Sequence, residues 1–270
     1  MELTASFALA VTFSAILAAA TTVEKRIVGG EVAKQGEFPF IVSIRNATGY
    51  HYCGGSLVDG YTVLTAGHCT EDAHSVKAGS NSRETGGVDV NVTFYVRHPK
   101  YELKNIGIND IGVLKFSSPI KTSKTIGYAT LPAKGSDPKV NSTATAAGWG
   151  RDTPNKKAQE HSKVKTLRKV TLPIHARQDC AKLLPDIPHD NTTVCAGGAG
   201  KGICMHDSGS PLFNDKTKQI IGLAAFGIKD AAENYCDQAP GGFTNVGSFV
   251  DFVNKNLGRQ TPGHVTARAN

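Results

Sequence analysis

The chain has 270 residues, 30 lysines and arginines against 23 aspartates and glutamates, and a formal charge of +7. Its length suits a single globular unit large enough to bury substantial cores, and no interior stretch is long and apolar enough to span a bilayer. The basic residues are spread along the chain without interleaved aromatics, which argues against a nucleic-acid platform and for ordinary solubility.

In chain order, residues 1–20 carry one charge, Glu2, and an apolar run from Phe7 to Ala20 that ends in three alanines. This pattern predicts a secretory signal peptide, and so a secreted, extracellular protein. Short β-branched runs follow, among them Ile41–Ile44, Tyr61–Leu64 and Val88–Val96, separated by scattered Gly and Pro. They predict many short strands and an all-β domain without linkers or repeats. The densest basic cluster, Lys156 to Lys169, reads as an exposed loop. Apolar residues recur at helical spacing in Ser248–Leu257, behind a serine able to cap the first turn and ahead of Gly258, which predicts a C-terminal helix. Residues 258–270 read as a loose polar tail.

Six cysteines behind a signal peptide predict up to three disulfides, with fifteen pairings open from spacing alone. No Cys/His spacing suggests zinc. Asn46, Asn91, Asn141 and Asn191 stand in Asn-x-Ser/Thr sequons and are candidate glycosylation sites.

Three separated pieces carry chemistry. Gly202 to Pro211 holds Asp207-Ser208-Gly209, a serine that could act as a nucleophile if a base and oxyanion donors serve it. His68 follows a β-branched strand beside Cys69 and could be that base. Asp110 leads into the apolar run Ile111–Leu114, where a partly buried carboxylate needs a partner such as an imidazole N–H.

Together with Ile27-Val28-Gly29-Gly30, Cys53-Gly54-Gly55-Ser56-Leu57, Thr65-Ala66-Gly67-His68-Cys69, Gly148-Trp149-Gly150 and Pro240-Gly241, these pieces make the chain resemble the chymotrypsin/trypsin family of serine proteases over residues 27–257. The order His, Asp, Ser is that family's order. The resemblance implies two packed six-stranded antiparallel Greek-key barrels with a C-terminal helix. It implies a catalytic set of His68, Asp110 and Ser208, and an oxyanion hole from the N–H groups of His206 and Ser208. Disulfides Cys53–Cys69, Cys180–Cys195 and Cys204–Cys236 are implied in the same way. So is a propeptide, residues 21–26, whose removal by an activating protease would free the Ile27 ammonium to pair with Asp207. The partners implied are protein or peptide substrates and proteinaceous inhibitors, with a monomeric enzyme and no cofactor. No structural calcium is expected, because the loop between His74 and Val90 has only Glu84 and Asp89 as acids.

Gly202 falls at the position of the family's pocket floor, with Ala225, Phe226, Gly227 and Gly241 as walls. Without a floor carboxylate the pocket is expected to take Phe, Tyr, Leu or Met, unless Asp230, Glu233 or Asp237 reaches inward. Three residues depart from the family pattern: His206 and Ser210 replace glycines, and Ala225 replaces a serine. A histidine at 206 could turn its N–H out of the oxyanion hole. That opens an alternative, a weakly active or inactive homologue acting as a binding protein, and also suggests obstruction of rigid inhibitors.

Overall fold

The computed structural model describes residues 28–102, 107–151, 164–185, 190–228, 236 and 238–259. The predicted signal peptide, residues 21–27, Asp230, Glu233, Asp237 and residues 260–270 lie outside the described residues.

The first barrel uses β2 (Ile41–Arg45), β3 (His51–Asp59), β4 (Thr62–Thr65), β5 (Ser75–Ala78), β6 (Val88–Asn91), β7 (Phe94–Arg97) and β8 (Gly112–Lys115). All its pairings are antiparallel, in the order β6-β5-β2-β3-β4-β8-β7. The run Val88–Val96 forms one bent strand broken at Val92–Thr93: its first half pairs with β5 and its second with β8, which closes a six-stranded barrel. Val42, Ile44, Leu57, Val63, Val76 and Leu114 fill the interior.

The second barrel uses β9 (Thr143–Gly148), β10 (Arg168–His175), β11 (Thr193–Gly197), β12 (Pro211–Phe213), β13 (Ile220–Phe226) and β14 (Pro240–Asn245). A two-residue β1 (Glu31–Val32) adds to β10, and the β9–β10 pair closes the ring. In β10 the residues Val170, Leu172 and Ile174 alternate inward with the period of two of a half-buried strand. Arg168 is itself buried and Lys169 pairs with Glu31 and Glu37, so the end of the basic cluster is strand rather than the exposed loop expected from sequence.

Between the barrels, Leu64, Ile111 and Val113 of the first meet Ile220, Leu223, Val246, Phe249 and Val253 of the second. Each such buried aliphatic side chain contributes about 1.5–3 kcal/mol. The interface therefore holds the two halves of the cleft in fixed register.

The C-terminal helix begins earlier than its sequence suggests. A 3₁₀ turn, Val246–Phe249, precedes α2 (Val250–Lys255), and the Asn245 side chain, not Ser248, caps the turn by accepting from Gly247 N at 3.1 Å. Ser248 instead donates to the Asn191 carbonyl at 2.6 Å. A short helix not foreseen in sequence, α1 (Arg177–Leu183), carries Cys180. After α2, the buried Lys115 ammonium donates to Thr62 Oγ1 at 2.6 Å and to the carbonyls of Asn256 and Gly258 at 2.5 and 2.7 Å. Burial pushes its pKa down to about 8, against the opposing pull of Asp59.

The disulfides are Cys53–Cys69, Cys180–Cys195 and Cys204–Cys236. Each constrains the unfolded chain, typically by 2–4 kcal/mol. The first pins the His68 turn and the third pins the Ser208 loop.

Candidate active site

The first barrel supplies an imidazole and its acid. Beyond β4, Ala66 stays extended and Gly67–Cys69 closes a single 3₁₀ turn that carries His68. A Cβ at Gly67 would stand only 3.0 Å from the Tyr101 ring and 3.1 Å from Asp110 Oδ1, so glycine lets the acid approach the turn. Asn109, at φ 52°, turns the chain and donates to the Lys100 carbonyl at 2.7 Å. Asp110 then accepts from His68 N at 2.8 Å through Oδ1 and bonds His68 Nδ1 at 2.7 Å through Oδ2. An ionised carboxylate only accepts, so Nδ1 carries the proton and Nε2 presents its lone pair. Thr244 Oγ1 donates to the Asp110 carbonyl at 2.9 Å, tying this acid to the second barrel. Ala225 lines the same small recess as Asp110 and Thr244.

The second barrel supplies the serine. Its loop is held by Asp207 N to Cys204 O at 3.0 Å, Ser210 N to Asp207 O at 2.9 Å and Gly209 N to Ala224 O at 2.7 Å. Gly54 N of the first barrel donates to the Ser208 carbonyl at 2.8 Å. Gly209 has φ +74°, and a Cβ there would meet Thr65 Oγ1 at 2.1 Å and Ala66 N at 3.1 Å. Only a glycine can let Ser208 come down beside the strand that leads to His68. Among the described residues Ser208 Oγ makes no hydrogen bond to His68, and the N–H groups of His206 and Ser208 donate to no other group.

Asp207 is 1% exposed and accepts from Gly150 N at 2.7 Å and Cys204 N at 2.9 Å. Burial pushes its pKa up to about 7, and the two amides only partly offset this. The room for its carboxyl comes from missing side chains, since a Cβ at Gly148 or Gly150 would sit 2.2–2.3 Å from it. Ser210, 2% exposed, fits because Gly54 leaves space for its hydroxyl, which has no partner among the described residues.

His206 takes the backbone a glycine would take, with φ +76°. Its ring folds back on the start of β3, edge-on to Tyr50 at 5.6 Å between centroids, with Tyr50 OH 3.4 Å from Nε2 and a further bond to the Tyr52 backbone. His51 Nε2 lies 3.2 Å from the His206 carbonyl. The imidazole is thus drawn toward the first barrel, and the loop keeps its course.

On the opposite side of the loop a cavity of about 140 Å³ opens beside Ser208, walled by Ile203, Met205, Ala224, Ala225, Phe226, Gly227 and the Cys204–Cys236 bridge. No carboxylate is among its described lining residues. Gly202 and Gly241 are not among them either. Gly202 pairs with Val28, its N–H donating to Val28 O at 3.2 Å, and a Cβ at Gly241 would meet the Ile203 side chain at 3.2 Å. Ile203, passed over in the sequence reading, forms the wall instead. In the loop between His74 and Val90, Asp89 pairs with Arg45 and Lys77, and Glu84 with Lys165. Cys53, His68 and Cys69 cluster, but the two sulfurs are bonded to each other.

A family model described as Trypsin matches residues 27–253. The chain belongs to the trypsin family of serine proteases. It is 30% identical to trypsin delta of Drosophila erecta over 237 residues, covering 86% of this chain and 88% of that one. Trypsin beta of the same fly is 31% identical over the same extent. Ovochymase of Halocynthia roretzi is 32% identical over 242 residues, 84% of this trypsin-family chain but 15% of the ovochymase. The solved structure of neuropsin, a serine protease expressed in the limbic system of mouse brain, superposes with a TM-score of 0.74 at 25% identity, covering 84% of this chain and 97% of neuropsin. As in those proteases, two barrel-like antiparallel sheets and a short C-terminal helix make up the fold. No described helix is long and apolar enough to cross a membrane.

Proposed function

We propose that this chain is a secreted serine endopeptidase, made as a zymogen and cut between Arg26 and Ile27. It hydrolyses peptide bonds after large apolar residues. Ser208 Oγ attacks the carbonyl carbon while His68 Nε2 takes its proton. The oxyanion is bound by the His206 and Ser208 N–H groups. The tetrahedral species collapses as His68 returns the proton to the departing amine, leaving Ser208 acylated. Water, deprotonated by His68, then attacks the ester, and the proton goes back to Ser208 as the acid leaves.

The observation that carries this reading is the two-point bond between Asp110 and His68, which fixes a single tautomer beside the Ser208 loop. The two uncommitted N–H groups support the oxyanion role, and they favour an active enzyme over an inactive binding homologue. The apolar walls and volume of the pocket support the specificity, since an apolar cavity of about 150 Å³ accepts a benzene ring. Activation is supported by the buried Asp207 carboxyl with no cation among the described residues, and by Val28, which leads back from its pairing with Gly202 toward the predicted cut. Asn91, Asn141 and Asn191 are exposed and suited to glycosylation, whereas Asn46 is half-buried with its side-chain oxygen engaged by Thr48 and Tyr50.

The test is to cut the chain after Arg26, then add a serine-directed phosphonate and chromogenic peptides ending in Phe or Arg. Labelling of Ser208 and turnover of the Phe peptide are expected. Absence of both overturns the endopeptidase, while preference for Arg overturns only the pocket assignment.

A further inference from the structure

With the cavity beside Ser208 assigned to the acyl half of a substrate, the side of the loop that carries His206, next to the start of β3, is left for the leaving half. There the structure carries a cation that no carboxylate among the described residues neutralises. Arg83 is 7% exposed, and among the described residues no carboxylate pairs with it and its guanidinium donates no hydrogen bond. Its bonds are backbone ones, N to Lys165 O and O from the Arg45 guanidinium. Its neighbours differ: Arg45 and Lys77 share Asp89, and Lys165 pairs with Glu84. A guanidinium cannot shed its proton, so with its stem packed away and its nitrogens still reaching solvent, Arg83 offers a standing positive charge to whatever binds beside it.

Arg83 is joined to the nucleophile loop by a short chain of contacts. Its Cζ lies 5.9 Å from the Tyr50 ring centroid, and that ring meets the His206 imidazole at 5.6 Å. A second basic residue is tied to the same loop through its main chain, because Arg151 N donates to Met205 O at 2.9 Å. The positive field of Arg151 and Arg83 is strong enough to help hold the His206 pKa down, after the larger effect of burial.

We infer that the leaving-group side of the cleft is a subsite for acidic side chains, in which Arg83 and Arg151 supply the charge and Tyr50 and His206 the walls. This rests on the endopeptidase reading above. Two contacts of under 6 Å separate His206 from Arg83, a reach that an extended peptide at about 3.3–3.6 Å per residue covers by its second or third leaving-side residue. A carboxylate there would give Arg83 the planar partner its fork matches.

The experiment uses the activated protein and peptides sharing one acyl half that ends in Phe, with Glu, Gln or Lys at the second and third leaving-side positions. We expect kcat/KM to favour Glu over Gln by about tenfold, chiefly through KM, and Lys to be poorest. The preference should shrink in 0.5 M salt, as a partly exposed charge contact does. In Arg83→Gln the Glu-to-Gln ratio should fall toward one, and in Arg151→Gln it should fall part of the way. If Arg83→Gln does not fold, Arg151→Gln and the salt series decide. Equal cleavage of all three peptides at low salt, or a preference that survives both substitutions, overturns the subsite. If no peptide is cut at all, the endopeptidase reading fails instead. Binding of labelled Glu and Lys leaving-half peptides to the Ser208→Ala protein then judges the subsite alone, tighter Glu binding supporting it and equal binding overturning it.

Discussion

Asp110 and Asp207 are both 1% exposed, and each belongs to one half of the cleft, yet they are satisfied by different means. Asp110 holds the His68 turn by two bonds, one to a backbone amide and one to an ionisable ring. Asp207 has two backbone amides and no cation among the described residues, and burial drives it toward its neutral form. The first half of the cleft is electrostatically complete in the uncut chain. Among the described residues the second half holds no cation for Asp207, and under the activation proposed above the Ile27 ammonium would supply one.

The largest expected effect lies in the completed half. Replacing Asp110 by Asn keeps its size but lets His68 adopt the wrong tautomer, which costs about 10⁴ in kcat. Steady-state turnover of a Phe-ending chromogenic peptide at neutral pH measures it, and a loss of less than tenfold would mean that Asp110 does not set the His68 tautomer.

Next comes the incomplete half. Asp207 has its folded pKa raised to about 7 from 3.8, so between those values the folded chain keeps a proton that the unfolded chain has lost. Its contribution is fully present below about pH 4 and is lost as pH rises through 7, in all about 4 kcal/mol. His51 works in the opposite sense: burial lowers it to about 3 from 6.5, so its contribution grows from pH 3 to 6.5. The two slopes nearly cancel between pH 4 and 6.5. In the uncut Ser208→Ala chain, adding Asp207→Asn should therefore unmask a rise in urea-measured stability over that range. Parallel curves for the two proteins would sink the claim. After cleavage behind Arg26 the difference should vanish, because a cation now holds the carboxylate charged.

The smallest effect concerns His206, where φ +76° costs a non-glycine residue about 1–2 kcal/mol. His206→Gly relieves that strain but loses the Tyr50 contact and adds freedom to the unfolded chain, so stability should move by less than about 1 kcal/mol. Turnover should stay within about tenfold, since the N–H remains. A rise of 10²–10³, the size of one regained oxyanion donor, would mean that the native histidine turns that donor away.

Much of this was legible in sequence because catalysis and close approach demand particular residue types. Gly67, Gly148, Gly150 and Gly209 stand where a Cβ would strike the site, and they fall inside the motifs that carry the family resemblance. What escaped was set by packing between distant segments. Tyr50 meets His206 across 156 positions, and nothing local to either announces it. Ile203 reads as one apolar residue in a loop until the pairing of Val28 with Gly202 draws the floor glycine away from the pocket. Ser248 looks the better helix cap, but Asn245 wins because its amide also reaches the Asn191 carbonyl at 2.7 Å, and one side chain thereby ties two loops to the turn.

Lys115 has a consequence for local stability. Its strand closes the first barrel, but its ammonium is satisfied by carbonyls at Asn256 and Gly258, 141 and 143 positions later. Leu114 points into the first barrel, so Lys115 points to its outer face, where residues 256–258 cover it; without them its ammonium would keep Thr62 and otherwise meet water. The chain's end thus works as a clasp on the outside of the first barrel, and truncation just before α2 should raise amide exchange along β4 and β8, the two strands that Lys115 and Thr62 join to it, before it affects the rest of that barrel.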